Sequence, residues 1–415
     1  MHIVGLIILA ATIYFVVKRY EIRMVLFASG FLMTLIALEP NTAFEAFAAR
    51  MTTGGLITAI LSVLAFAHVM RLTGCDQHLI HLLVNGLKKV RPILVPGAVL
   101  ATFAINIALP SAAGTSAAVG AVFIPVLMAA GIHPALAGAA VLTGTFGSML
   151  NPGLSHNPFI AEMAGVDVLE VIGTHSTATI VAIIIGAIAL TIVGLVRKEL
   201  KGHEQELEQD EDFKVSFIRA IVVVIPLLIL ILGATELIAP LAEVSIPGAM
   251  LIGAMLGMAV TKTSPVEVTK TFFDGMGTAY SSVMGIIIAA AVFVAGLQAL
   301  GVIDALIDSM IEFSAVAGYA GTFGPFLLAV ISGSGDAAAF AFNEAVTPFA
   351  AQFGLGTIEL GSIAALAGAL GRTMSPVAAA TIVCAGYANV NPMELAKRTA
   401  PGMILATIAA MIILL

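Results

Sequence analysis

The chain has 415 residues, of which 60% are hydrophobic and 10% are charged, and its mean hydropathy is +1.09. An ordinary soluble domain carries about 25% charged residues, so this composition excludes a soluble globular protein and predicts an integral membrane protein that contacts the lipid bilayer. The formal charge of −7 argues against a nucleic-acid partner, and the two cysteines match no metal or redox spacing.

Apolar windows of about 20 residues are long enough to cross the hydrocarbon core as helices. We predict such helices over residues 3–18, 22–39, 54–71, 135–162, 175–196, 217–239, 245–261, 277–300, 357–388 and 399–415. The expected fold is therefore an all-α polytopic membrane protein with about ten transmembrane helices.

Two further apolar stretches, residues 95–131 and 318–354, are interrupted near the middle by small polar residues. The interruptions cover residues 110–116 and 332–337. Each half on its own is short for a full span, so we predict two re-entrant hairpins whose tips meet near the bilayer midplane. Irregular backbone is tolerated at that depth only where protein or a water-filled cavity covers it.

The distribution of basic residues predicts the orientation, because loops rich in Lys and Arg stay in the cytoplasm. With both termini outside, the predicted inner loops hold every basic residue except Arg50 and Arg372. The predicted outer loops are acidic.

The sequence also repeats itself, since residues 142–152 align with residues 366–376 and Ser111 falls on Ser334. The first hairpin enters from inside and the second from outside, so the repeats are predicted to be inverted. The first repeat covers residues 1–196, with a broken helix over 135–162, and the second covers 217–415, with a broken helix over 357–388. An acidic cytoplasmic linker, 197–216, joins them. This architecture is typical of secondary transporters.

In such carriers the site lies where broken helices meet, because half-helix N-termini present free N–H groups to an anion. Glycine allows a close approach of the ligand, and Ser, Thr and Asn supply neutral donors and acceptors. The alternative for each small residue is tight helix packing. The candidate substrate-binding residues are Ser111, Gly114, Thr115, Ser116, Ser148, Asn151, His156, Asn157, Ser332, Ser334, Gly335, Arg372, Thr373 and Ser375.

Charged residues at predicted bilayer depth indicate a buried polar site, because each costs at least about 2.5 kcal/mol there. Arg372 has a planar fork suited to a carboxylate, and its alternative role is a structural pair with Asp336 or Glu344. Asp336 is the candidate ligand of a coupling H⁺ or Na⁺, together with Gly333, Gly371 and Glu344. For Glu344 the alternative is a helix cap, and for His156 it is a hydrogen-bonded core position.

At residues 333–344, 370–377 and 397–401 the chain resembles the anaerobic C4-dicarboxylate carriers of the C type, within the wider ion-transporter superfamily. The resemblance implies a bacterial inner-membrane carrier for small dicarboxylates such as succinate and fumarate. The known folds of the superfamily imply a homodimer in which a transport domain moves by an elevator mechanism. Members commonly have Asn where this chain has Asp336, whose extra negative charge would repel a dianion unless it is neutralised.

We therefore expect a secondary carrier of small carboxylates that works by cation-coupled symport or by anion exchange. A monocarboxylate or an amino acid remains an alternative substrate, and a cation/proton antiporter without organic substrate is an alternative function. No cofactor is expected. An enzyme is disfavoured because the sequence offers no catalytic dyad or metal-ligand spacing, and a pump driven by ATP because it has no phosphate-binding loop.

Overall fold

The computed structural model describes residues 1–18, 20–52, 54–87, 94–202, 213–234, 239–305 and 314–415, and all regular structure in these ranges is helical. Half of the predicted acidic linker, residues 203–212, lies outside the described residues. So do Lys88, Lys89 and Arg91, which contribute to the predicted orientation.

The first half of the chain forms ten helices within the described ranges. They are α1 (His2–Val17), α2 (Ile22–Ile36), α3 (Pro40–Met51), α4 (Gly54–Thr73), α5 (Cys75–Leu87), α6 (Leu94–Ala108), α7 (Ala112–Ala129), α8 (Pro134–Thr143), α9 (His156–Ala164) and α10 (Val168–Val196). A short 3₁₀ turn, Gly147–Leu150, lies between α8 and α9. Helices α3 and α5 occupy segments that the sequence analysis assigned to loops.

The second half continues with further helices and a π-helical turn. The helices are α11 (Phe217–Val222), α12 (Ile225–Ala234), α13 (Ala239–Ala242), α14 (Ile246–Thr261), α15 (Pro265–Ala279), α16 (Gly285–Ala299), α17 (Ser314–Ser332), α18 (Gly335–Ala345), α19 (Thr357–Thr373), α20 (Ala379–Ala388) and α21 (Pro392–Leu414). The π-helical turn, Tyr280–Met284, joins α15 to α16.

Within the described residues, five helical segments are long and apolar enough to cross a membrane: Leu56–Thr73, Ala112–Ala129, Val168–Val196, Pro265–Ala299 and Pro392–Leu414. The segment Ala112–Ala129 is α7, so this arm of the first hairpin is not too short to span, contrary to our expectation. The predicted window 217–239 is divided between α11 and α12. The total of about ten spans and the re-entrant placement of the hairpins remain predictions.

Helices are interrupted where the sequence predicts the two hairpin tips. The Oγ of Ser111 accepts a hydrogen bond from the N–H of Gly114 at 3.1 Å and so caps α7. The Oγ of Ser334 accepts one from the N–H of Ala337 at 3.3 Å and caps α18 in the same way. The two serines that align in the repeat therefore begin equivalent helices, because each satisfies a free N–H group of the first turn.

Each hairpin approaches the broken helix of its own half through a glycine. A Cβ atom added at Gly147 would overlap the carbonyl oxygen of Phe103, and one added at Gly371 would overlap that of Phe326. Both the glycines and the phenylalanines correspond in the repeat alignment. Only glycine permits these contacts, and they hold the hairpins against the two helix breaks.

The broken helices occupy the interior of the protein. Every residue from Ala135 to Thr143 in α8 is buried, and most of α19 is buried as well. A helix that is apolar on all sides is expected in such a position. On α21, Arg398 is 3% exposed and pairs at 2.5 Å with Glu199, which is 6% exposed and follows α10. This buried ion pair connects α21 to the end of α10.

Candidate substrate-binding site

A cavity of about 350 Å³ lies where the two hairpin tips meet the two helix breaks. Helix α4 and the π-helical turn complete its wall. We call it the central cavity. The predicted site residues on its wall are Ser111, Ser148, His156, Gly333, Ser334, Gly335, Asp336 and Arg372. Residues from both halves of the sequence therefore contribute to one cavity.

Arg372 lies in the last turn of α19 and reaches the helix break of the other half. Its Nη2 donates a hydrogen bond to the carbonyl oxygen of Thr145 at 2.9 Å, and its Nη1 lies 3.3 Å from the Oγ1 of the same residue. Both of its hydrogen-bond partners among the described residues are thus on Thr145. A guanidinium has five N–H donors, so donors remain for a carboxylate in the central cavity.

Asp336 and His156 form the second polar feature of the central cavity. The Nε2 atom of His156 lies 3.0 Å from Oδ1 of Asp336. The imidazole is only 3% exposed, whereas the side chain of Asp336 is 55% exposed. The His156 ring also stacks on Phe340, with centroids 4.3 Å apart. The carboxylate is therefore held by a buried partner and remains open to the cavity.

The first hairpin tip is braced by an amide side chain that the sequence analysis did not select. The Nδ2 of Asn106 lies 3.0 Å from both the carbonyl oxygen of Leu109 and the Oγ1 of Thr115. Its Oδ1 accepts the N–H of Ser148 at 2.8 Å. Thr115 is fully engaged in this network and does not line the central cavity, so its role is to hold the tip.

Two predicted asparagines also support the backbone instead of facing the cavity. Asn151 donates from Nδ2 to the carbonyl oxygen of Ile107 at 2.6 Å. Asn157 donates to the carbonyl oxygens of Met149 and Asn151 at 2.8 and 2.9 Å, and its Oδ1 lies 3.1 Å from Nε2 of His175. Side chains thus form hydrogen bonds with the backbone carbonyl groups of the irregular segment between α8 and α9, as the burial of polar groups requires.

Several other candidates lie away from the cavity wall. Gly114 lies against the guanidinium of Arg71, and Gly371 lies against Phe326. Ser332 lies in a separate apolar groove beside α1. Three further candidates are fully buried, namely Ser116 in α7, Thr373 at the end of α19 and Ser375 just after that helix.

Glu344 is not brought to the central cavity and does not pair with Arg372. The Nη2 of Arg50 on α3 donates to Oε1 of Glu344 at 2.7 Å and to its Oε2 at 2.8 Å. Arg50 also contacts Glu162 at 3.2 Å and lies 5.3 Å from the centroid of the Phe159 ring. The predicted grouping of Glu344 with Asp336 at one ion site is therefore not formed in this structure.

Some wall residues were missed from sequence. Ser282, Val283 and Ile286 belong to the π-helical turn and the start of α16, and Leu64 belongs to α4. The adjacent serines 281 and 282 within an apolar run were the available signal for this turn. Single-turn π-bulges often occur at functional sites.

Residues 2–415 match the family of C4-dicarboxylate anaerobic carriers, DcuC. The chain belongs to this family. The anaerobic C4-dicarboxylate transporter DcuC of Escherichia coli K12 is 26% identical over 436 residues, covering 96% of this chain and 92% of that protein. An uncharacterised transporter of Haemophilus influenzae is 47% identical over 272 residues, covering 63% of this chain and 98% of the relative.

A structural likeness extends beyond the family. The structure of Neisseria gonorrhoeae MtrF, described with a class of antimetabolite efflux pumps, aligns with a TM-score of 0.62 at 12% identity. The alignment covers 92% of this chain and 83% of that one, and at this identity it shows the fold alone. Family membership makes the protein a multi-pass membrane transporter of the inner membrane and not an enzyme.

Proposed function

We propose that the protein is a secondary carrier of small carboxylates, in particular C4-dicarboxylates such as succinate and fumarate. The observation that carries the proposal is the position of Arg372, whose guanidinium lines a cavity built from both hairpin tips and both helix breaks. The family and the Escherichia coli transporter provide the substrate class. A half-buried arginine with unused donors is well suited to a carboxylate.

In this proposal Arg372 binds one carboxylate of the substrate. The second carboxylate is bound by the hydroxyls of Ser111, Ser148 and Ser334, which all line the central cavity. The free N–H groups in the first turns of α7 and α18 add donors, and the positive ends of both helix dipoles favour an anion.

Asp336, with its partner His156, is the proposed acceptor of the coupling cation, either H⁺ or Na⁺. Neutralising Asp336 would remove its repulsion of an anionic substrate, so cation and substrate would bind together. Joint binding of a cation and the substrate supports symport. Exchange of one carboxylate for another on the same site needs no coupling cation.

The proposed transport cycle is an elevator movement of two inverted repeats within a homodimer, with both hairpins re-entrant. The matched serine caps at Ser111 and Ser334, and the matched glycine contacts at Gly147 and Gly371, support the repeat. Binding must change the relative stability of the inward-facing and outward-facing states for such a cycle to transport anything.

The test is uptake of labelled succinate into proteoliposomes by purified protein. Arg372→Ala should abolish uptake while the melting temperature in detergent stays near that of the wild type. Arg197→Ala, which removes an exposed arginine outside the central cavity, is the matched control and should transport normally. Uptake by Arg372→Ala with an unchanged KM would contradict the proposal.

A second candidate function is a cation/proton antiporter without organic substrate, which the pairing of Asp336 with His156 inside the cavity favours. In vesicles loaded with a pH-sensitive dye, such an antiporter would change internal pH on addition of Na⁺ or K⁺ without any carboxylate. A carboxylate carrier would show no pH change until a substrate is added.

A further inference from the structure

We infer that Asp336 makes the central cavity prefer carboxylates that carry an ammonium group over unsubstituted dicarboxylates. This inference rests on the proposed function and names a subclass of its substrates. It follows from the charged side chains on the cavity wall and from the hydrogen bonds that are already made there.

Apart from His156, the acidic and basic side chains on the described wall of the central cavity are Asp336 and Arg372. They do not pair with each other, because Arg372 is held by Thr145 and Asp336 by His156. The wall therefore presents one separate positive and one separate negative group. A substrate with a carboxylate for Arg372 and an ammonium group for Asp336 complements both, whereas succinate offers nothing to Asp336.

Asp336 has acceptor capacity left for such a group. Its Oδ1 is engaged by His156, and within the described part of the chain its Oδ2 has no hydrogen-bond partner. A carboxylate accepts about four hydrogen bonds, and an ammonium group has three donors. The side chain is 55% exposed, so the carboxylate is accessible from the cavity.

His156 positions the carboxylate of Asp336 from a buried site. To donate to Oδ1, the ring must carry its proton on Nε2. The contact thus fixes the orientation of the carboxylate and leaves its Oδ2 for a donor on the substrate.

The experiment compares inhibitors that share one carbon skeleton. Proteoliposomes take up labelled succinate while unlabelled succinate, L-malate or L-aspartate competes. For the wild type, L-aspartate should inhibit at a concentration about tenfold or more below that of succinate, because a hydrogen bond to a charged group is lost with succinate. L-Malate, which replaces the ammonium group by a hydroxyl, should fall between them.

The variant Asp336→Asn should lose this preference, with inhibition by L-aspartate weakened about tenfold or more relative to inhibition by succinate. The inference would be overturned if the wild type preferred succinate to L-aspartate, or if the Asn variant kept the wild-type ratio of the two inhibitory concentrations. Neither outcome would contradict the proposed transport of succinate. The ratio of inhibitory concentrations in the wild type tests the inference even if the variant does not fold. Absence of binding and uptake for all three compounds would overturn the proposed function and this inference together.

Discussion

His156 and Asp336 lie 180 residues apart in the sequence, yet the Nε2 of one is 3.0 Å from the Oδ1 of the other. The contact joins the helix break of the first half to the hairpin tip of the second, at the wall of the central cavity. Any movement that separates the tip from the break must break this contact. The pair therefore links the occupancy and charge of the cavity to the position of the second hairpin.

Replacing His156 tests this link. In His156→Ala the carboxylate of Asp336 loses its only described hydrogen-bond partner, and Phe340 loses the ring stacked on it. We expect the initial rate of succinate uptake to fall at least about tenfold, which corresponds to roughly 1.4 kcal/mol. His2→Ala, at an exposed position near the N-terminus, is the control. Equal rates and KM values for both variants would show that the pair has no role in transport.

Removing Arg398 should destabilise the protein strongly. The substitution Arg398→Ala leaves Glu199 as an uncompensated buried charge, for which a cost of about 3–5 kcal/mol is typical. The neighbouring Lys397 is an exposed matched control, since its side chain is 53% exposed and surface ion pairs contribute about 0–1 kcal/mol. Melting temperatures in detergent should therefore fall sharply for Arg398→Ala and little for Lys397→Ala. Similar shifts in the two variants would contradict a structural role for the Arg398 pair.

The close approach at Gly371 predicts a cost for adding a single methyl group. Gly371→Ala would force a Cβ atom into the backbone carbonyl of Phe326, and overpacking of this kind costs about 1–3 kcal/mol. Gly386, also within a helix, has nothing within 4 Å of an added Cβ, so Gly386→Ala should be neutral or slightly stabilising. The melting temperatures of the two variants measure the difference. A fully stable Gly371→Ala would mean that the hairpin is not held at this distance.

The imidazole of His78 on α5 contacts the last residue of the predicted linker and the first turn of α11, which predicts a pH dependence of stability. The Nδ1 of His78 accepts the N–H of Ser216 at 3.1 Å, and its Nε2 lies 3.4 Å from Nη1 of Arg219. Burial, with the positive charge of Arg219 and the neighbouring His81, lowers the pKa of His78 below its usual value of about 6.5.

Because the folded pKa of His78 is lowered, the unfolded chain binds the proton more readily. Stability from this group is therefore present above about pH 6.5 and is lost as the pH falls below that value. Melting temperatures in detergent should decrease on acidification through this range, and the decrease should be smaller for His78→Gln. An identical pH profile for the two proteins would exclude His78 as the responsible group.

The helix breaks at Ser111 and Ser334 could be read from the sequence, and so could the presence of Arg372 and Asp336 close to such breaks. These features are local: hydroxyl and glycine residues interrupt apolar runs, and a charge in such a run has a high desolvation cost. Membrane residence follows in the same way, from composition alone. The repeat alignment also paired the glycines that later proved to be equivalent packing positions.

Only the tertiary structure decided which partners the charged and polar residues have. Glu344 was grouped with the ion site because it lies eight residues after Asp336, but Arg50, 294 residues away, holds it elsewhere. Thr115, Asn151 and Asn157 look like ligand residues by type, yet they satisfy buried backbone and side-chain groups. Hydrogen bonding depends on which distant segments meet, and that is a property of the packed fold and not of the local sequence.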